Sequence, residues 1–278
     1  MLTLDVEKVI ELAFVSCPFD MLVDTYLHRL LETGINPEIG LNRAVLNRFD
    51  LPDFVKVARI FEQYGVRCTI HGPFTDISIG AIDTEVRAAS MRRMQMALDI
   101  AAVFGAKSVV CHSGYDYRQY LDAEEEWTGN IIRSLEELVV YAEKAGTRLM
   151  LENVFEPDPR FHEQIFSAIT SPALGYCLDL GHLKVFSSGS TLDQWLDAVG
   201  HRIGELHIHD NHGKEDDHLP VGQGILDFDS LFAWLKKRGM QPIMTVEAHD
   251  EAAVFPSLEG LGYLLERYPL IQGGSSGG

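Results

Sequence analysis

The stretch from His207 to Phe228, HIHDNHGKEDDHLPVGQGILDF, packs four histidines and four aspartates around three glycines. Side chains of this kind add little to an apolar core. Imidazoles and carboxylates gathered in a short span are what a divalent metal requires. The start of the stretch, Glu205-Leu-His-Ile-His209, alternates polar and apolar residues with the period of a strand. His207 and His209 therefore share one face and Leu206 and Ile208 the other. A loop follows with Asp216 and His218, then a glycine-rich turn, then a helix start at Asp227. The plainer reading is a solvated, turn-forming loop, since His and Asp also suit loops.

Other strands end the same way. His71, His112, Glu152, Asp179 and Glu247 each close an apolar tract: Thr-Ile-His71, Val-Cys-His112, Met-Leu-Glu152, Cys-Leu-Asp179 and Thr-Val-Glu247. His182 and His249 follow two of these ends closely. A carboxylate at the end of a buried strand is costly unless it is paired or metal-bound. One such residue is ordinary scaffolding; so many at one edge call for a common cause. Mixed histidine and carboxylate ligands without thiolate suit zinc, manganese or iron. By alternation Cys111 faces away from His112, and neither Cys111 nor Cys177 is assigned as a ligand. His212 and His249 read as supporting or substrate-contacting groups. His28, His162 and His201 lie on helices or at helix edges and read as surface residues.

The elements that carry these residues alternate in kind. Strands are expected at Val9–Ser16, Pro37–Leu41, Val66–His71, Lys107–His112, Arg148–Asn153, Leu174–Asp179, Ile203–His209 and Ile243–Glu247. Helices are expected at Phe19–Glu32, Asp50–Tyr64, Thr84–Phe104, Ala123–Lys144, Phe161–Ile169, Thr191–Val199, Asp227–Arg238 and Pro256–Arg267. Glycines at 34, 65, 105 and 146 stop the first, second, third and fourth helices. Strict alternation implies a parallel sheet with helical crossovers. Eight units in roughly 250 residues is the size of a (β/α)8 barrel, whose strand ends meet on the C-terminal face. A doubly wound open sheet is the alternative architecture. Residues 1–272 read as a single TIM-barrel domain, and 273–278, Gly-Gly-Ser-Ser-Gly-Gly, as an appended linker.

Composition narrows the classes. A net charge of -18 argues against a surface that grips phosphate backbones, so nucleic acid is not the expected partner. Four scattered cysteines without CxxC spacing suit a reduced, cytoplasmic protein. No apolar run approaches the ~20 residues of a membrane span, and nothing reads as a signal peptide.

With its motifs in this order, the chain resembles the xylose-isomerase-like TIM-barrel superfamily. That group holds the family 2 AP endonucleases (endonuclease IV) and the sugar-phosphate isomerase/epimerase proteins. The motifs are Ile-His71-Gly-Pro-Phe, Cys-His112-Ser-Gly, Leu-Glu152-Asn, Leu-Asp179-Leu-Gly-His182, His207-Ile-His-Asp, Asp216-Asp-His218-Leu-Pro-Val-Gly-Gln-Gly and Val-Glu247-Ala-His. The resemblance runs to about Tyr268. It implies two ligand patterns. The endonuclease pattern places His71, His112, Glu152, Asp179, His182, His207, Asp216, His218 and Glu247 around three zinc ions. The epimerase pattern places Glu152, Asp179, His207 and Glu247 on one divalent metal, often manganese. There Glu152 and Glu247 double as the proton-transfer pair, and His182 contacts substrate. The chain departs from the endonucleases after its first histidine. Pro73-Phe74-Thr75-Asp76 replaces the bulkier run that enters DNA. Arg43 and Arg48 are the basic residues after strand two, available for a substrate phosphate or for surface salt bridges.

Three functions follow. The first is a metal-dependent sugar or sugar-phosphate isomerase/epimerase acting on a small carbohydrate. Glu152 and Glu247 transfer protons; His182, His209 and Arg43 bind substrate. The second is a multinuclear zinc phosphoesterase of the endonuclease IV type. The third, a barrel that binds metal or carbohydrate without catalysis, needs no pair of proton-transfer carboxylates. The first is preferred because the short polar loops suit a small substrate.

Overall fold

A computed structural model describes residues 6–120, 122–187 and 189–270. The expected linker at 273–278 and both extremes of the 1–272 domain lie outside them. The strands are β1 (Ala13–Pro18), β2 (Asn36–Gly40), β3 (Thr69–His71), β4 (Ser108–His112), β5 (Arg148–Glu152), β6 (Leu174–Asp179), β7 (Ile203–Ile208) and β8 (Ile243–Val246). Each pairs in parallel with the next, and β8 pairs with β1 to close a barrel. The fold is a (β/α)8 TIM barrel, as the alternation implied; the open sheet is excluded.

The helices form because their apolar stripes find the outer face of the barrel. Thr84–Phe104 shows the local logic. Asp83 caps it, accepting from the N–H groups of Glu85 and Val86, and Gly105 ends it at φ 59°. Trp127, Trp195 and Tyr176 are fully buried between helices and sheet. Inside the barrel, Val110, Met150 and Cys177 form a separate small apolar cluster. By the pleat, these three share the inward face with His112, Glu152 and Asp179, two residues further along β4, β5 and β6.

Three expectations need correction. The first apolar tract is not a strand from Val9. Val6–Leu12 is a helix that packs against Glu251–Arg267, and β1 begins only at Ala13. A short apolar run does not distinguish helix from strand by itself. The closing helix starts at Glu251, so Pro256 lies within it. His162 is not a surface residue. It is fully buried, within 5.3–6.2 Å of the rings of Tyr176, Trp195 and Phe166. Burial holds its pKa below the ordinary histidine value. His28 is exposed beside Glu32, and His201 is exposed, as expected.

Candidate metal centre

The barrel delivers the strand-end residues side by side. His112 is the register partner of Glu152 across β4–β5, and Asp179 of His207 across β6–β7. A register shift between Tyr176 and Cys177 pairs them with Ile203 and Glu205, skipping Gly204. That bulge sets which β7 residues face inward. Asn153 ties β5 to β6. Its Nδ2 donates to the Asp179 carbonyl at 2.8 Å, and its Oδ1 accepts from Asp179 N at 3.0 Å and the Tyr176 hydroxyl at 2.8 Å. Asp179 then caps the helix Leu180–Phe186, its carboxylate accepting from His182 N at 2.7 Å. Only glycine fits at 181, because a Cβ there would stand 2.2 Å from His209 Cε1.

Glu152 is the hub. Its Oε2 lies 2.9 Å from His112 Nε2 and 3.6 Å from His71 Nε2. Its Oε1 lies 3.0 Å from His207 Nδ1 and 3.2 Å from His182 Nδ1. His207 Nδ1 is also 3.4 Å from Glu247 Oε1 and 4.0 Å from Asp179 Oδ2. Toward the rim, Asp216 Oδ2 stands 3.2 Å from His182 Nε2 and 3.0 Å from His218 Nε2. His209, His218 and His249 stack in that order, with ring centroids 3.9 and 3.7 Å apart. His218 holds a left-handed backbone at φ 49°. A residue in this region carries local strain that the surrounding structure must support.

Electrostatics follow from the crowding. Burial works to raise the Glu152 carboxyl, but His207 and His112 beside it bring it well below the ordinary carboxylate range. Burial likewise opposes ionisation of Asp179, and His182 and His209 outweigh it, taking Asp179 down to about 2. His71 moves the other way: burial lowers it, but Glu152 and Glu38 raise it to about 9. His182, His207 and His209 are likewise raised against burial by the acidic groups around them.

The residues fit a metal. Two ligands of a tetrahedral zinc, each at ~2.0–2.1 Å, stand about 3.3 Å apart, which is the spacing seen here. His112 Nε2 and Glu152 Oε2 are close and buried, yet neither is hydrogen-bonded. Two unpaired polar atoms buried side by side are ones that a shared ion would satisfy. His71, Glu152 and His207 form one group able to hold an ion. Asp179, His209 and Glu247 form a second, and His182, His209, Asp216 and His218 a third.

All nine expected ligands are thus brought together. The expected substrate contacts divide. His182 lines a cavity of about 590 Å³ above the cluster, with Glu152, Glu247, Phe74 and Asp216. His209 does not line it. It is 1% exposed, with Nε2 3.0 Å from Asp179 Oδ2, so it supports the cluster from behind. Arg43 opens the helix Arg43–Arg48, outside the cavity wall, and Arg48 is taken by Asp24. Four residues were missed. Glu38 and Glu205 are buried acids within reach of His207, and Asn153 locks the end of β6. Glu205 is raised to about 8 by burial and by Glu38.

Asp210 is the fourth. Its buried carboxylate accepts from the backbone N–H groups of Asn211, Gly222, Gly224 and Leu226 at 2.9–3.1 Å, closing the loop that carries Asp216 and His218. Asp210→Ala leaves these donors without their acceptor. Hydrogen bonds to charged groups are each worth ~1.5–3 kcal/mol, so a loss of several kcal/mol from the loop is expected. Hydrogen exchange should show faster opening of residues 211–226. Unchanged protection would remove Asp210 from this role.

Residues 37–267 match the model of a family described as xylose isomerase-like TIM barrel. The chain belongs to this family. A Thermus thermophilus protein, solved after soaking with ZnCl2, is 28% identical with a TM-score of 0.76, covering 94% of this chain and 100% of that one. An L-ribulose-5-phosphate 3-epimerase from Salmonella paratyphi C is 28% identical over 192 residues, 65% of this chain and 63% of the epimerase. A probable endonuclease 4 from Mycobacterium leprae is 28% identical over 191 residues, 65% of this chain and 73% of its own. Proteins named for both activities that the resemblance implies thus occur among the relatives of this xylose isomerase-like chain. No helix among its described residues is long and apolar enough to cross a membrane.

Proposed function

We propose that this xylose isomerase-like barrel is a divalent-metal-dependent isomerase or epimerase of a sugar or sugar phosphate. The observation that carries the reading is the placement of Glu152 and Glu247. Both line the same cavity, and both approach His207 Nδ1, at 3.0 and 3.4 Å. Glu152, Asp179, His207 and Glu247 would hold the ion, zinc or manganese. Bound there, it supplies a Lewis acid that holds adjacent substrate oxygens and polarises a carbonyl. One glutamate takes a proton from the carbon beside that carbonyl, and the other returns a proton. His182, at the cavity wall, orients a substrate hydroxyl. The resemblance to a ribulose-phosphate epimerase supports this reading.

Among the described residues of the cavity wall, Arg29 is the single Lys or Arg, and it is ion-paired with Glu251. That favours a neutral sugar over a sugar phosphate. Together with the charge of -18 it also disfavours nucleic acid.

A second reading, the multinuclear phosphoesterase, is favoured by one observation: the outer groups, with His71 and His112 on one side and His182, Asp216 and His218 on the other, are complete. Ketoses, their phosphates and small phosphodiesters incubated in deuterated buffer separate the two. An epimerase places deuterium at the carbon beside the carbonyl. Phosphate release or cleavage of a phosphodiester to monoester and alcohol, without deuterium uptake and abolished by chelator, would overturn the first reading in favour of the second.

A further inference from the structure

Glu38 sits in the middle of β2, between Pro37 and Ile39, and is completely buried. Its Oε2 accepts from the Thr69 hydroxyl at 3.3 Å and lies 3.3 Å from the Thr245 hydroxyl, whose one proton is shared with Glu205 Oε1 at 3.2 Å. Glu38 Oε1 has no hydrogen-bond partner. That free oxygen stands 3.6 Å from Nε2 of His207, which is also buried and also without a partner. The separation is a few tenths of an ångström beyond a formed hydrogen bond. Glu38 is the carboxylate nearest to that nitrogen, with Glu205 and the Cys177 thiol also close to the ring, and buried polar groups seldom remain unpaired.

The opposite edge of the ring sharpens the point. His207 Nδ1 faces Glu152 and Glu247. A neutral imidazole carries one N–H and one lone pair. If Nδ1 supplies a lone pair to an ion, the proton belongs on Nε2, which points away from the cavity toward Glu38. Val110, Met150 and Cys177, the apolar cluster inside the barrel, provide no oxygen acceptor.

We infer that Glu38 is a positioning residue: its Oε1 accepts the Nε2–H of His207, fixes the ring's tautomer and leaves the Nδ1 lone pair for the ion. Ligating histidines generally donate their second N–H in this way, and losing such a partner typically costs about 10–100-fold in metal affinity. The inference rests on the proposed metal site, and nothing in the sequence pattern of strand ends points to it.

The test uses zinc-loaded full-length protein, with long-range nitrogen–proton spectra of the histidines and zinc affinity by chelator competition. In the wild type, His207 should show a zinc-bound Nδ1 and a slowly exchanging Nε2–H. Glu38→Leu should speed exchange of that proton and weaken the affinity for one ion by about 10–100-fold. Glu38→Gln, which keeps a carbonyl acceptor and the shape of the side chain, should recover part of both. Glu38→Gln also carries the comparison if Glu38→Leu does not fold, the expectation then being an intermediate loss of affinity. A zinc-bound Nδ1 with unchanged proton exchange and affinity in both variants overturns the inference while sparing the metal site. A His207 without bound zinc overturns the metal site itself. Loss of a whole ion in both Glu38→Gln and Glu205→Gln, with the His207 spectrum unchanged, overturns the inference in favour of an ion held between the two acids.

Discussion

Metal-loaded protein melts roughly 5–10 °C above chelator-treated protein when free metal is about 100-fold over its dissociation constant. Binding to the folded state alone then contributes ~2.7 kcal/mol. For a chain of this size 1 kcal/mol moves the midpoint by roughly 2–4 °C. The difference should widen with pH. In the ion-free protein His71 titrates at about 9, above its ordinary value. Its charged pairing with Glu152 therefore stabilises fully below pH ~6.5 and is lost as pH rises through 9. An ion held by Glu152 repels that proton and competes with protons for its own ligands, so its contribution grows in the opposite direction. Calorimetry at several pH values with and without chelator measures this, and coincident melts would sink the metal centre. Elemental analysis of the same samples counts the ions, and His218→Ala should lower a count of two or three by one. A count of one in both proteins would make His218 a supporting group.

The second large effect is on rate. Glu152→Gln should lower turnover by about 10²–10⁴-fold at saturating metal, the usual contribution of a general acid or base. Glu152 also touches His71, His112, His182 and His207, so the change will weaken metal binding as well. Glu247 lies 3.4 Å from His207, 3.9 Å from His218 and 4.0 Å from His209, so Glu247→Gln loosens the centre from its rim side. Steady-state kinetics across a metal titration separates the two contributions. Near wild-type turnover in either variant once metal saturates would exclude that residue from proton transfer.

Of the expected ligands, His71, His112, Glu152, Asp179 and Glu247 were legible because each ends an apolar tract, and strand ends in a barrel share one face. What escaped notice lay where that rule does not look. Glu38 and Glu205 are mid-strand residues. Glu205 shares a face with His207 and His209 by simple alternation, and that parity was the available signal. His162 reads as a surface residue because it is polar and helical. Yet His162, Ile165, Phe166 and Ile169 fall at i, i+3, i+4 and i+7, the stripe of a buried helix face. The alternation puts His207 and His209 on one face, and so predicts a substrate contact for His209. In the fold β7 ends at Ile208, and the next residue turns behind Asp179. Asp210 and Asn153 hold backbone groups of distant loops and strands, pairings that a linear pattern does not reveal.

Barrel closure has a kinetic side. The four residues that would hold the proposed catalytic ion come from β5, β6, β7 and the residue after β8, and β8, paired with both β7 and β1, is the strand that closes the barrel. A partly assembled barrel therefore offers the ion fewer ligands than it needs. Interactions absent from the transition state slow unfolding and leave refolding nearly unchanged. Bound metal should thus act as a latch on the finished barrel, visible in the unfolding limb of the same metal-loaded and chelator-treated samples. It should not act as a template on which the chain assembles.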